Sequence, residues 1–150
     1  MKGRVPSQAR SAARLAAVQA LYQRQMEGTA PARLLDEFHQ YRLGMETDYG
    51  QLAAADEAFF DEIVRGVDER AAEIDRLVAG KLAKGWTLAR LDRTMTQILR
   101  AGCYEIVARP DVPTAAVITE YVDVAKAFFD EREAKFVNGV LDALAKDIRK

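Results

Sequence analysis

The stretch Lys135–Asp142, KFVNGVLD, decides how this chain is read. Its apolar residues do not alternate as in a half-buried strand. Together with residues downstream they fall at Val137, Val140, Leu141, Leu144 and Ile148, three and four apart, which is the stripe of an amphipathic helix. Asp130 and Glu133 are spaced as a variant capping box, so the helix begins near Asp130. An Asn138-Gly139 pair stands inside it, at positions where something small or polar leaves room for a close approach. On a helical wheel the stripe centres near Val137; Phe136 lies roughly 100° away at its shoulder, Lys135 roughly opposite, and Asn138 about 100° off on the other flank.

The same period runs outward from this stretch. Arg109-Pro110-Asp111-Val112-Pro113 is a hard stop, because a residue before proline leaves the helical region. After it, a helix starting near Pro113 or Thr114 carries Ile118, Tyr121, Val122, Ala125 and Phe129. Before it, Thr87 reads as the N-cap of a helix bearing Leu88, Leu91, Met95, Ile98, Leu99, Gly102 and Ile106, with Gly102 a point of close helix approach. In the first half, Ser7 or Ser11 caps a helix running to about Met26, with Leu15, Val18, Leu21, Tyr22 and Met26 as its stripe and Gly28 as its end. Pro31 near the first helical position restarts a short helix with Leu34, Leu35, Phe38 and Tyr41. Gly44–Gly50 reads as loop, and Gln51 to Val78 as one long helix burying Leu52, Phe59, Ile63, Val67, Ile74 and Val78. Gly80 and Gly85 bracket a connector. The expected fold is all-α: six or seven helices in two packed three-helix subdomains, about 1–80 and 86–150, within a single domain.

Composition removes several classes of function. With 49% hydrophobic and 30% charged residues in 150, the chain has an ordinary globular make-up. No apolar run approaches the roughly 18 residues of a membrane span. Arg10 and Arg14 interrupt the N-terminal segment, so no signal peptide is expected and a cytoplasmic protein is the default. One cysteine, Cys103, rules out an intrachain disulfide or a cysteine zinc cluster and reads as a small core residue. His39, the single histidine, reads as a partly exposed helix residue. Neither GxxxxGK[ST] nor GxGxxG occurs, and no catalytic dyad stands out; no enzyme activity, cofactor or metal is expected.

Charge is uneven. Residues 1–26 hold five bases and no acid, whereas 27–75 hold 13 acids against 4 bases. A basic arm on a nearly neutral chain suggests a local polyanion contact. The acidic run Asp56, Glu57, Asp61, Glu62, Asp68, Glu69 and Glu73 reads as a solvated helix face. Arg10 and Arg14, four apart, share one helix face that can follow a phosphate backbone. Single-stranded RNA is also read by stacking on aromatics, which requires a ring outside the core and beside a base. Phe136 next to Lys135 is the candidate, although position alone favours packing, since apolar residues at stripe margins are usually buried.

The combination of ILRAGCYEI (Ile98–Ile106), DVPTAAVITEYVDVAKAF (Asp111–Phe128) and KFVNGVLD resembles the NusB family of transcription antitermination factors. ARLAAVQALYQ (Ala13–Gln23) and VRGVDERAAEIDRLV (Val64–Val78) fit it as well, in order and over nearly the whole chain. The resemblance implies two three-helix subdomains and a role without catalysis. It implies binding of boxA RNA in ribosomal RNA leader transcripts, together with the small-subunit ribosomal protein NusE, in RNA polymerase antitermination complexes. Carried over by position, the arginine-rich first helix maps to Arg10 and Arg14, with Lys2 and Arg4 upstream. Ser11-Ala12-Ala13 between the arginines makes this arm thinner than is usual in the family. Lys135 and Phe136 map to the RNA surface, and Asn138 is counted with them. Tyr22 maps near the NusE contact, although by the stripe it belongs to the core. An acidic residue on the NusE side maps to Met95, for which Asp92 is the substitute. Two other readings compete: a protein-binding helical adaptor without RNA affinity, and the helical module of ribosomal RNA cytosine methyltransferases, ranked last because no glycine-rich methyl-donor loop occurs.

Overall fold

The computed structural model describes residues 4–41 and 56–150, with side chains for 8–40 and 56–150. Among these residues it contains α1 (Arg4–Glu27), α2 (Pro31–Tyr41), α3 (Glu57–Glu69), α4 (Ala71–Ala79), a single 3-10 turn (Leu88–Arg90), α5 (Arg93–Ala108), α6 (Thr114–Phe128) and α7 (Glu131–Ile148), and no strand. The all-helical expectation holds, with seven helices. The chain forms two compact units, Met1–Arg65 and Gly66–Lys150, divided inside α3 and ahead of the glycine connector. The expected loop Gly44–Gly50, the side chain of Tyr41 and the expected helix start at Gln51-Leu52 lie outside the described residues.

In the first unit α1 already runs from Arg4, so Ser7 and Ser11 lie inside the helix and not at its start. Pro6 falls in the first turn, where its missing N–H breaks no intrahelical bond. Gly28 closes the helix at φ +70, its N–H bonded to the Arg24 carbonyl at 2.8 Å. The buried side of α1 is built from small residues, Ala13, Ala17 and Ala20, with Val18 and Leu21. The expected stripe is therefore rotated: Leu15 is half-buried, and Tyr22 and Met26 are exposed. Leu34, Leu35 and Phe38 of α2 are buried as expected, and Phe38 stacks on Phe60 of α3 with centroids 5.4 Å apart.

The expected single helix to Val78 is interrupted at Arg70 (φ −108, ψ 22), which separates α3 from α4. The bonds from Arg70 N to Gly66 O and from Ile74 N to Arg70 O span the interruption, so it is a local distortion that no glycine or proline announces.

The second unit is organised around α5, which packs against α4, α6 and α7. Eleven of its sixteen residues are buried. Its cap is Asp92 and not Thr87: Asp92 Oδ1 accepts from Thr94 N at 2.8 Å and Met95 N at 3.2 Å. Thr87 precedes the 3-10 turn instead and makes no side-chain cap bond. At the other end Arg149 gathers carbonyls from the last turn of α5 and the turn that follows it. Its guanidinium donates to Ile106 O (3.1 Å), Glu105 O (3.2 Å), Arg109 O (2.7 Å) and Val112 O (2.7 Å), and to Thr114 Oγ1 at 3.0 Å. One side chain thus ties the end of α7 to the end of α5 and the start of α6.

Gly102 meets its expectation of close approach, since a Cβ there would lie 2.9 Å from Leu141 Cδ2 of α7. α6 buries Val117, Tyr121, Val124 and Ala125, a face offset from the expected one; Ile118, Val122 and Phe129 are half-buried. α7 buries Val137, Val140, Leu141 and Leu144 as expected, but Ile148 is only half-buried, and Asp130 at the N-cap position makes no side-chain cap bond.

Candidate nucleic-acid interface

The cationic candidates of the first unit lie on α1. Arg10 is half-buried, its Nε 3.9 Å from Asp56 Oδ2 and its guanidinium carbon 5.0 Å from the centroid of the Phe59 ring. Arg14 stands 5.0 Å from the same centroid and is only 5% exposed. The two arginines share a face, as their spacing requires, but Phe59 occupies that face. Arg14 is accordingly buried against an aromatic ring, whereas Arg10 keeps solvent access. Lys2 lies outside the described residues, and Arg4 opens α1 with its side chain outside them.

Three acids of the acidic run are engaged within the same unit. Asp56 bonds the Phe59 N–H at 3.0 Å and faces Arg10. Asp61 Oδ1 lies 2.6 Å from His39 Nε2, and Glu57 Oε1 lies 3.6 Å from His39 Nδ1. His39 is thus a half-buried residue held between two carboxylates, close to the sequence reading. Tyr22 is exposed, and Met26 one turn on is exposed too, so the core assignment of Tyr22 fails while its surface assignment has a surface to act on.

In the second unit, Lys135 and Asn138 are exposed on α7 and Phe136 is half-buried. Phe136 does not end in the core. It lines an open groove of about 540 Å³ together with Trp86, Leu91, Met95 and Phe129. Arg90, Asp92, Arg132 and Glu133 supply the charged part of the lining. Two residues assigned to partner binding therefore have structural work in this unit: Met95 is a buried part of the groove wall, and Asp92 caps α5. The sequence reading missed Trp86 and Phe129 in this lining, and Phe128, whose ring centroid lies 6.5 Å from that of Phe129. Trp86 is 51% exposed and Phe128 is 42% exposed. A signal for Trp86 was present, since Lys84-Gly85-Trp86-Thr87 sets a large ring in a polar connector with no apolar period around it.

Cys103 offers no nucleophile. Burial, helped by the nearby Glu73 and Asp75 carboxylates, pushes its thiol from 9.0 up to about 12. No described helix is long and apolar enough to cross a membrane.

Comparison with known proteins adds the following. The model of the NusB family matches residues 11–146. The transcription antitermination protein NusB of Novosphingobium aromaticivorans is 66% identical over 145 residues, covering 97% of this chain and 98% of the relative. The structure of T. maritima NusB superposes with a TM-score of 0.76 at 29% identity, covering 92% of this chain and 91% of that one. A crystal structure of antitermination factors NusB and NusE in complex with dsRNA superposes with a TM-score of 0.73 at 26% identity, covering 93% of this chain and 97% of that one.

Proposed function

The chain belongs to the NusB family, and on that premise we propose that it is a non-enzymatic antitermination factor that binds boxA RNA of ribosomal RNA leader transcripts together with NusE and suppresses premature termination. The observation that carries the RNA part is the placement of Phe136. Its ring lines an open groove on α7 next to the exposed Lys135, where a base can stack while a phosphate meets the ammonium. Arg10, with Lys2 and Arg4 upstream, supplies further phosphate contacts; Arg14 acts through its packing on Phe59. Asn138, exposed on α7, completes the RNA surface of that helix. Tyr22, exposed on α1, is the residue assigned to NusE. Asp56, Glu57 and Asp61, three of the seven acids in the run, are engaged inside the unit, which reduces the surface open to a purely protein-binding adaptor.

A gel shift with a short single-stranded boxA-type RNA, with and without NusE and across salt concentrations, tests this reading. Wild type is expected to bind with a steep salt dependence and more tightly with NusE. Phe136→Asp is expected to abolish the shift while far-UV circular dichroism is unchanged. Binding by Phe136→Asp equal to wild type, or a flat salt response, refutes the surface proposed.

A further inference from the structure

The groove of the second unit holds more aromatic surface than one stacking residue explains. Trp86, the single tryptophan of the chain, lies in its lining and is half exposed. Its backbone is set by a turn: the main-chain N–H of Trp86 bonds the Ala83 carbonyl at 3.0 Å, and Gly85 before it turns the chain at φ +89. Arg90 donates to the Gly85 carbonyl at 2.8 Å and sets its guanidinium carbon 5.5 Å from the Trp86 ring centroid. A solvent-facing indole with a cation against it forms a stacking platform that contributes little to the core.

Charge indicates what occupies it. The segment from Lys81 to Arg93 carries Lys81, Lys84, Arg90 and Arg93 against one acid, Asp92. That acid caps α5, and Lys81 pairs with Asp147. Arg132 adds a further cation to the lining, with Glu133 the acid beside it. An apolar slot with Arg90 and Arg132 at its edge suits a planar, uncharged base carried on a phosphate chain. The volume, about 540 Å³, suits a nucleotide-sized guest.

We propose that this groove is a nucleotide subsite, in which an unstacked base of single-stranded RNA enters against Trp86 and its flanking phosphates meet Arg90 and Arg132. The subsite rests on the RNA reading above and extends it from α7 to the 81–93 connector.

Because Trp86 is the only tryptophan, its emission reports on the subsite directly. The full chain is titrated with a fluorescently labelled single-stranded boxA-type RNA, with and without NusE, following RNA anisotropy and tryptophan emission in parallel. Emission is expected to fall in step with the rise in anisotropy. Trp86→Ala is expected to weaken binding about ten-fold, the loss typical of one stacked base, with unchanged circular dichroism; Trp86→Phe is expected to recover most of it and Arg132→Glu to weaken binding as well. If RNA binds and Phe136→Asp abolishes binding, while emission stays constant and Trp86→Ala binds as wild type, the subsite is overturned and the wider RNA reading stands. If NusE alone quenches the emission and RNA does not, the groove is a protein dock and the subsite is overturned. If no RNA binds with or without NusE, both readings fall.

Discussion

α5 and α7 pack against each other in the second unit, and each carries a glycine in its interior, yet the two glycines serve opposite ends. Gly102 of α5 stands where a Cβ would lie 2.9 Å from Leu141 Cδ2. Gly139 of α7 has nothing within 4 Å of where its Cβ would be. In the helix, either residue costs about 1 kcal/mol relative to alanine. For Gly102 the cost is offset by close packing of two helices. For Gly139 no packing within the unit offsets it. A helix buried on most sides uses glycine to let a neighbour in; a helix with one open face leaves glycine without an internal reason.

The largest test of the closed region lies at the contact of α3 with α5. A Cβ at Gly66 would come within 2.1 Å of Tyr104 Cε1, and Tyr104 is only 6% exposed, so its ring has little room to retreat. Gly66→Ala is expected to lower stability by about 3 kcal/mol, the upper part of the overpacking range, read as the shift of the urea midpoint at constant m-value. A loss under 1 kcal/mol would show that Tyr104 swings aside freely and that α5 is less tightly gripped.

Next comes the buried polar pair behind α5. Glu105 and Tyr121 are both fully buried, and the Tyr121 hydroxyl donates to Glu105 Oε2. Tyr121→Phe keeps the ring and removes the donor, and is expected to cost about 2 kcal/mol. If Tyr121→Phe were neutral in the same denaturation series, the hydroxyl would be filling space only. Gly102→Ala follows, at about 1 kcal/mol net, because overpacking against Leu141 outweighs the gain in helix propensity. The effect should shrink in a Leu141→Ala background, where the clashing methyl groups are gone; an unchanged effect would place the strain elsewhere.

The two regions also differ in how far the sequence revealed them. Periodicity found the buried stripe of α7 and the close approach at Gly102, because both are written in apolar spacing. It missed the start of α5. Threonine and aspartate are both favoured cap types, and Leu88, Leu91 and Met95 keep a helical period across the 3-10 turn, so spacing could not choose between Thr87 and Asp92. It missed the break at Arg70 for a related reason, since the bonds flanking Arg70 persist and no helix breaker marks the position. In α1 the apolar stripe misled. Alanines fill its packed side, and the large residues Tyr22 and Met26 are turned outward. For the candidate interface, the family resemblance pointed to Phe136, but the groove around it depends on a tertiary meeting of the connector, α5 and α7 that no local pattern encodes. Arg14 shows the converse: spacing placed it beside Arg10, and only the packing of Phe59 reveals that its guanidinium is withdrawn from solvent.

The smallest effect is the sharpest test of the open region. Gly139→Ala adds a methyl group where the structure has open space, so it is expected to raise stability by about 0.5–1 kcal/mol through helix propensity and a less flexible unfolded chain. In the proposed function, α7 meets RNA along Lys135, Phe136 and Asn138, and a bare backbone at Gly139 lets the RNA approach. The same substitution should then weaken binding of boxA-type RNA while the fold becomes more stable. The two readouts move in opposite directions, which separates this cause from simple loss of folding. A gain in stability with unchanged RNA affinity would mean that the approach does not reach Gly139, and would confine the RNA surface of α7 to the Lys135–Phe136 end. A loss of stability would break the comparison itself, because it would show that α7 is packed at Gly139 as α5 is at Gly102.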